Sequence, residues 1–147
     1  MYEEATFGPS AGTPWHAMTI QETIAHVRAF HDAFGITNSE TPTGSIGDAE
    51  VRLRHDLMGE ENEEYMEAAL RGDLVEVADA LGDMLYILCG TLLKHGLQHR
   101  IEAVFEEIQR SNMSKLGADG LPLRRADGKI LKGEGYFRPD IATILAR

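Results

Sequence analysis

The stretch "EENEEYMEAALRGDLVEVADALGD", residues 60–83, decides how this chain folds. It reads as the end of one helix, a turn at Arg71-Gly72-Asp73, and the start of a second helix. Glycine just past a helical run is a natural stop, and an aspartate is suited to cap the second helix. Both helices carry acids where packing should occur. At 100° per residue, Glu76, Asp79 and Asp83 fall within roughly 60° of one another. On the preceding helix, with Glu60 at zero, the apolar arc of Leu53, Leu57, Ala68, Tyr65 and Met58 runs from roughly 20° to 160°. Glu64 and Glu61 fall inside that arc, and Glu60 sits at its edge. Glu63 points away, toward solvent, and the wheel does not place Glu67 on either face.

A buried charge is costly unless it is paired or bound to a metal. Paired antiparallel through the short turn, the two helices set Glu60, Glu61 and Glu64 against Glu76, Asp79 and Asp83. Such a group repels itself unless cations sit among its members. All-oxygen ligands suit hard cations such as Mg²⁺ or Mn²⁺. The six acids are therefore candidate metal ligands. Two plainer readings stand beside this one. Acid-rich helices are commonly just solvated, and Asp73-x-x-Glu76 resembles a capping box that would occupy Glu76 locally. A ferritin-like di-iron centre would need Glu-x-x-His pairs, and none follows Glu61 or arises in the next helix. His95 and His99 are four residues apart, but Gly96 lies between them and no third zinc ligand is evident. HExxH, P-loop and GxSxG motifs are absent, as is any cysteine cluster.

Upstream, Thr19 and Glu22 form a T-x-x-E capping box. Ile20, Ile24, Val27 and Phe34 then recur at helical spacing up to Gly35, which predicts a helix over 20–34. "GITNSETPTGSIGD", residues 35–48, reads as a loop. Helices are expected over 49–71 and 74–95. A fourth, over 98–111, follows from Ile101, Val104, Phe105 and Ile108. After Asn112 the periodicity dissolves into a long loop. It holds one short hairpin at "RRADGKIL" and ends in a helical turn over 140–146. With no βαβ alternation and no repeat, the chain reads as one all-α domain, a bundle of four to five helices. Residues 1–18 form an N-terminal arm, 19–111 the helical core, and 112–147 a basic loop and tail.

The chain has 147 residues, 43% of them hydrophobic, with a net charge of −10. That is enough for one domain with its own core. Residues 1–109 hold 6 Lys/Arg against 20 Asp/Glu, whereas residues 110–138 hold 7 against 3. An acidic body repels nucleic acid. A basic segment beside it suggests either a small anionic ligand held between the two or a solvated basic loop. The lone Cys89, inside an apolar run, reads as a core residue. It permits no internal disulfide and fits a cytoplasmic location. No stretch approaches the ~20 apolar residues of a membrane span. The opening "MYEEATFGPSAGTPW" has no hydrophobic segment, so no signal peptide is expected. The helix over 84–93 is apolar nearly all round and needs cover on every side, which points to oligomerisation.

Glu60, Glu61 and Glu64 as E-E-x-x-E, with Glu76 and Asp79 as E-x-x-D on the next helix, resemble the all-α NTP pyrophosphohydrolase superfamily. Its members include MazG, the dimeric dUTPases and phosphoribosyl-ATP pyrophosphohydrolase. The resemblance covers helices two and three well and helix four tolerably. MazG itself reads E-E-L-G-D where this chain reads Asp79-Ala80-Leu81-Gly82-Asp83. Either Glu76 and Asp79 carry the motif one turn earlier, or Asp79 stands in for the first Glu of that run. The tail "RSNMSKLGADGLPLRRADGKILKGEGYFRPD" is similar to that of a MazG-like subgroup with dUTP-hydrolysing members.

The resemblance implies hydrolysis of a nucleoside triphosphate to the monophosphate and pyrophosphate, with dUTP as the favoured substrate. It implies two or three Mg²⁺ or Mn²⁺ ions on the six acids, Glu60 or Glu61 as general base, and a homodimer or homotetramer. Arg110, Asn112, Lys115, Lys132 and Tyr136 would contact nucleotide. Asn112 with Trp15, Phe34 or Tyr136 would select the base. A broad activity on damaged dNTPs and a phosphoribosyl-ATP substrate are the enzymatic alternatives. A non-enzymatic helical module that binds a basic partner is the other class.

Overall fold

Residues 17–147 are described by the structure, a computed structural model. The expected N-terminal arm, including Trp15, lies almost entirely outside them. Five helices follow one another: α1 (Ile20–Ala33), α2 (Asp48–Arg71), α3 (Leu74–Lys94), α4 (Ile101–Met113) and α5 (Ile141–Leu145). The all-α reading holds. Among the described residues, extended pairing is limited to a single antiparallel bridge between Arg124 and Ile130, inside the predicted hairpin. No helix of the described residues is long and apolar enough to cross a membrane.

The local signals act as the sequence dictates. Thr19 accepts from the Glu22 N–H, and the Glu22 carboxylate accepts from the Thr19 N–H in return. Gly72 takes the left-handed conformation that ends α2, with φ of 72°. One residue later, Asp73 caps α3 by accepting from the Glu76 N–H at 3.3 Å. The turn is therefore short, and α2 and α3 pack against each other along their lengths. α4 starts at Ile101, three residues later than the periodicity predicts. Gly96 ends α3 with φ of 67°, and the Leu97 N–H turns back to the Leu92 carbonyl. The chain needs residues 97–100 to complete that reversal.

Ile24, Val27, Cys89, Leu92 and Leu93 form the core, with Ile20, Leu97 and Ile101 against it. These residues join α1 to the C-terminal half of α3. Cys89 is a core residue as expected, and burial pushes its thiol pKa up. The 35–47 loop is stitched to the same end of α3. Ser39 N–H donates to the Leu93 carbonyl and Thr43 N–H to the His95 carbonyl, both at 2.9 Å. Lys94 donates to the Thr37 carbonyl at 2.7 Å, and Gln98 to the Ser39 carbonyl at 3.0 Å. The loop thus satisfies carbonyls that a helix end leaves without partners.

The opposite half of the α2–α3 hairpin is nearly bare. Leu70, Leu74 and Val75 at its tip are exposed. Only Ala68 of α2 is buried, and Leu53 and Tyr65 of its apolar arc are exposed, contrary to the wheel. Among the described residues α3 is the main element packed along α2, and one neighbour cannot cover so wide an arc.

Gly96 allows a direct test of the loop–helix seam. A Cβ there would sit 2.1 Å from the Thr41 carbonyl oxygen, at a positive φ. Gly96→Ala should therefore lower the unfolding free energy by about 2 kcal/mol or more. This would be read as a lower urea midpoint at unchanged slope. An unshifted midpoint would show that the loop yields without cost.

Candidate metal and nucleotide site

Glu61 is the centre of the acidic face. It projects from α2 toward α3, and its Oε2 is buried with no hydrogen-bond partner. Its pKa is raised, first by burial and then by Glu64, Asp83, Asp79 and Glu60, in that order. Four of the other five predicted carboxylates therefore act on Glu61 from both helices. Every charge that shapes it is negative. A buried carboxylate so placed is costly unless something offsets its charge.

Glu60 and Glu64 lie further out. With His55, Asp56, Gly59 and Glu63 they line a shallow concavity along α2. Asp79 and Asp83 are exposed on α3. Glu76 is set apart. Its N–H is taken by Asp73, but only half of a capping box is made, since no reciprocal bond from the Glu76 side chain accompanies it. Among the described residues, no three acid, imidazole or thiol groups are drawn together tightly enough to enclose an ion. What fits a divalent cation is the donor set: an orphaned, buried carboxylate oxygen with further hard oxygen donors around it.

The tail residues gather elsewhere, at the C-terminal end of α4. Arg110 donates to Glu107 through Nε and Nη2 at 2.9 and 3.0 Å, and lies 4.4 Å from the Phe137 ring centre. Lys115 donates to Asn112 Oδ1 at 2.7 Å. Lys132 lies 4.4 Å from the centre of the Tyr136 ring. Ser111 Oγ donates to the Phe137 carbonyl at 2.8 Å, and Asp140 N–H donates to Glu107 at 2.8 Å. The five predicted nucleotide contacts are therefore engaged in separate local contacts: Lys115 with Asn112, Lys132 with Tyr136, and Arg110 with Glu107 and Phe137. Among the described residues, no hydrogen bond or ion pair joins the segment after 110 to α2 or α3.

Two groupings escaped the sequence reading. Arg54 Nε holds Glu50 at 2.8 Å, and Lys94 approaches the same carboxylate at 3.5 Å. Burial raises the Glu50 pKa, but the bonds and charges of Arg54 and Lys94 outweigh it and the net shift is downward. The i,i+4 spacing of Glu50 and Arg54 was a readable signal; the approach of Lys94 from another helix was not. The second grouping is aromatic. Phe34 stacks on Phe30 with centroids 4.3 Å apart, and Phe30 meets Tyr86 edge-on at 5.7 Å. Tyr86 lies one helical turn after Asp83, so of the three predicted base-contacting rings Phe34 belongs to a cluster beside the acidic face. Tyr136 is with the tail, and Trp15 is outside the described residues.

Residues 27–112 match the profile of the phosphoribosyl-ATP pyrophosphohydrolase (PRA-PH) family. No curated relative matches the chain. Among solved structures, one match is a candidate NTP pyrophosphohydrolase from Exiguobacterium sp. 255-15. It is 24% identical over 85% of this chain and 94% of the other, with a TM-score of 0.48.

The strain on Glu61 has a definite pH signature. Its folded pKa lies above the ordinary value of 4.5, so the ionised group destabilises the fold at neutral pH. That penalty is relieved as pH falls through the raised value. In EDTA, the melting temperature should therefore rise as the pH is lowered from neutrality through the raised Glu61 value. Glu61→Gln should raise it at neutral pH by about 2–4 °C and flatten the rise. A variant that melts below the wild type at every pH would mean that Glu61 has a stabilising partner in the apo protein.

Proposed function

Because the chain belongs to the phosphoribosyl-ATP pyrophosphohydrolase family, a family of hydrolases acting on phosphoanhydride bonds, we propose that it cleaves a nucleoside triphosphate to the monophosphate and pyrophosphate, with dUTP as preferred substrate. The observation that carries the metal-dependent form of this reading is the orphaned, buried Glu61 oxygen, with Glu60, Glu64, Asp79 and Asp83 acting on the same carboxylate. These five residues, with Glu76 as a further ligand, would hold two or three Mg²⁺ or Mn²⁺ ions. Bound there, the ions supply positive charge to the triphosphate and acidify a water molecule.

The rest of the mechanism belongs to the chain's own groups. Phosphate attack is opposed by charge, so the protein's contribution is positioning and electrostatic relief. Glu61 or Glu60 takes the proton of the attacking water. Lys115 and Lys132 neutralise outer phosphate oxygens; Arg110 does so only by giving up Glu107. Asn112 offers its amide to the base, and Phe34 or Tyr136 offers a ring to stack on it. The preference for dUTP rests on the tail's likeness to a dUTP-hydrolysing subgroup. The name of the matched family favours one second reading, phosphoribosyl-ATP as substrate, with the same bond chemistry. A homodimer or homotetramer agrees with the exposed Leu81, Leu85 and Leu88 of α3.

Incubation with a panel of NTPs, dNTPs and phosphoribosyl-ATP, followed by phosphorus NMR, tests the proposal. Pyrophosphate and monophosphate should appear fastest from dUTP, only with Mg²⁺ or Mn²⁺ present. Glu64→Gln should slow turnover by about 100-fold or more. Comparable rates on many dNTPs would replace dUTP preference with pool cleansing. No turnover on any of them, with unchanged Mg²⁺ titration heats in Glu64→Gln, would favour a non-enzymatic module.

A further inference from the structure

His31, near the end of α1, is buried, and the proposed chemistry makes no use of it. Its Nδ1 lies 2.6 Å from Asn38 Oδ1. An amide oxygen only accepts, so Nδ1 carries the proton and Nε2 is left as an acceptor. Among the described residues Nε2 has no hydrogen-bond partner. Arg54 comes to the same place from α2. Its Nε is spent on Glu50 at 2.8 Å, but Nη1 and Nη2 form no hydrogen bond among the described residues. Glu50 is shared with Lys94, so the guanidinium keeps charge that its partner does not cancel.

The meeting point is Gly90, buried inside α3. A Cβ built there would lie 3.1 Å from Arg54 Nη1 and 3.1 Å from His31 Nε2. Glycine weakens a helix interior. Here it keeps a notch open between a bare donor and a bare acceptor. Neither atom is sealed from solvent, since the fully buried polar atoms without a partner are confined to Glu61, Gln98 and Arg100 among the described residues. Exposed rings stand beside the notch. Phe30 lies 6.4 Å from the His31 ring, and Tyr86, one helical turn before Gly90, meets Phe30 edge-on.

The notch is in line with the acidic face. Arg54 precedes Glu61 by seven residues on α2, and Gly90 follows Asp83 by seven on α3. Seven residues are two helical turns, about 10 Å along the axis and nearly the same face. A nucleotide spans such a separation between its phosphates and the far edge of its base.

We infer that this notch reads the base: Arg54 Nη1 donates to a ring carbonyl, and His31 Nε2 accepts from the ring N–H beside it. Uracil, thymine and guanine carry that pair of groups, and uracil is the smallest of them. Cytosine does not. With its carbonyl on Arg54, it turns a ring lone pair toward the lone pair of His31. A site built on hydrogen bonds rejects the ligand that leaves its groups unpaired. Stacking on Phe30 and Tyr86 holds any base alike, so selection falls to the polar pair. This deepens the proposed hydrolysis of dUTP and rests on it for the triphosphate, though not for the recognition of the base.

The α,β-imido analogues of dUTP and dCTP, which resist cleavage, are titrated calorimetrically with Mg²⁺ present. The wild type should bind the uracil analogue at least about tenfold more tightly. Gly90→Ala should abolish that preference while Mn²⁺ binding holds. Its Cβ meets only side-chain ends and alanine favours a helix, so this variant should fold. His31→Gln, whose amide can turn a donor or an acceptor to the base, should bring the two analogues within about twofold. A structural role alone would weaken both analogues together. A preference unchanged in both variants, with dUTP cleaved by the wild type, overturns the notch while hydrolysis stands. A wild type that cleaves nothing removes the hydrolysis reading. The ¹⁵N resonance of His31 Nε2 then decides the notch: a shift on adding dUMP and none with dCMP supports it, and no shift with either overturns it.

Discussion

The structure depends on one electrostatic constraint. Two helices joined by a two-residue turn, Gly72 and Asp73, place carboxylates against each other, and no cation among the described residues is paired with them. The cost concentrates at Glu61, the one acid of the group with a buried, unpartnered oxygen. In the same hairpin Glu50 is also partly buried, but Arg54 and Lys94 hold it and its pKa moves the other way. The contrast within one pair of helices matters. Where this chain needs a carboxylate for structure, it supplies cations. At the Glu61 end the described residues supply none, and the carboxylate keeps a raised pKa.

That division follows the division of packing. The C-terminal half of α3 is covered by α1, by the 35–47 loop and by the residues leading into α4. The hydrogen bonds of Ser39, Thr43, Lys94 and Gln98 fix the loop to the helix end. This half is the anvil against which the hairpin is held. The half that carries Glu61, Asp79 and Asp83 projects from it. An acidic face built this way stays open to solvent, and it lacks the apolar burial that stabilises the other half.

Much of this was legible in the sequence, because its signals are local. The Thr19–Glu22 box, the Gly72 stop, the Asp73 cap and the 124–131 hairpin depend on residues a few positions apart, and each acts as read. The facing of Glu61 by Asp79 and Asp83 was also legible, since a short turn leaves two helices little choice but to pair. The late start of α4 was not, because it is set by how Leu97 turns back onto Leu92. The Glu50–Lys94 contact was hidden because its partners meet only after the hairpin closes. The wheel overstated the burial of Leu53 and Tyr65. Periodicity shows which face seeks cover, but says nothing about whether one chain can supply it.

The same limit governs the tail. Composition separated an acidic body from a basic segment, and the natural expectation was that the two meet over a ligand. Among the described residues no hydrogen bond or ion pair joins them: Arg110 turns to Glu107, Lys115 to Asn112 and Lys132 to Tyr136. These local contacts are weak and exposed, and a competing polyanion could exchange with them at small cost. They keep the basic groups ordered without burying them, because each contact is local and open to solvent.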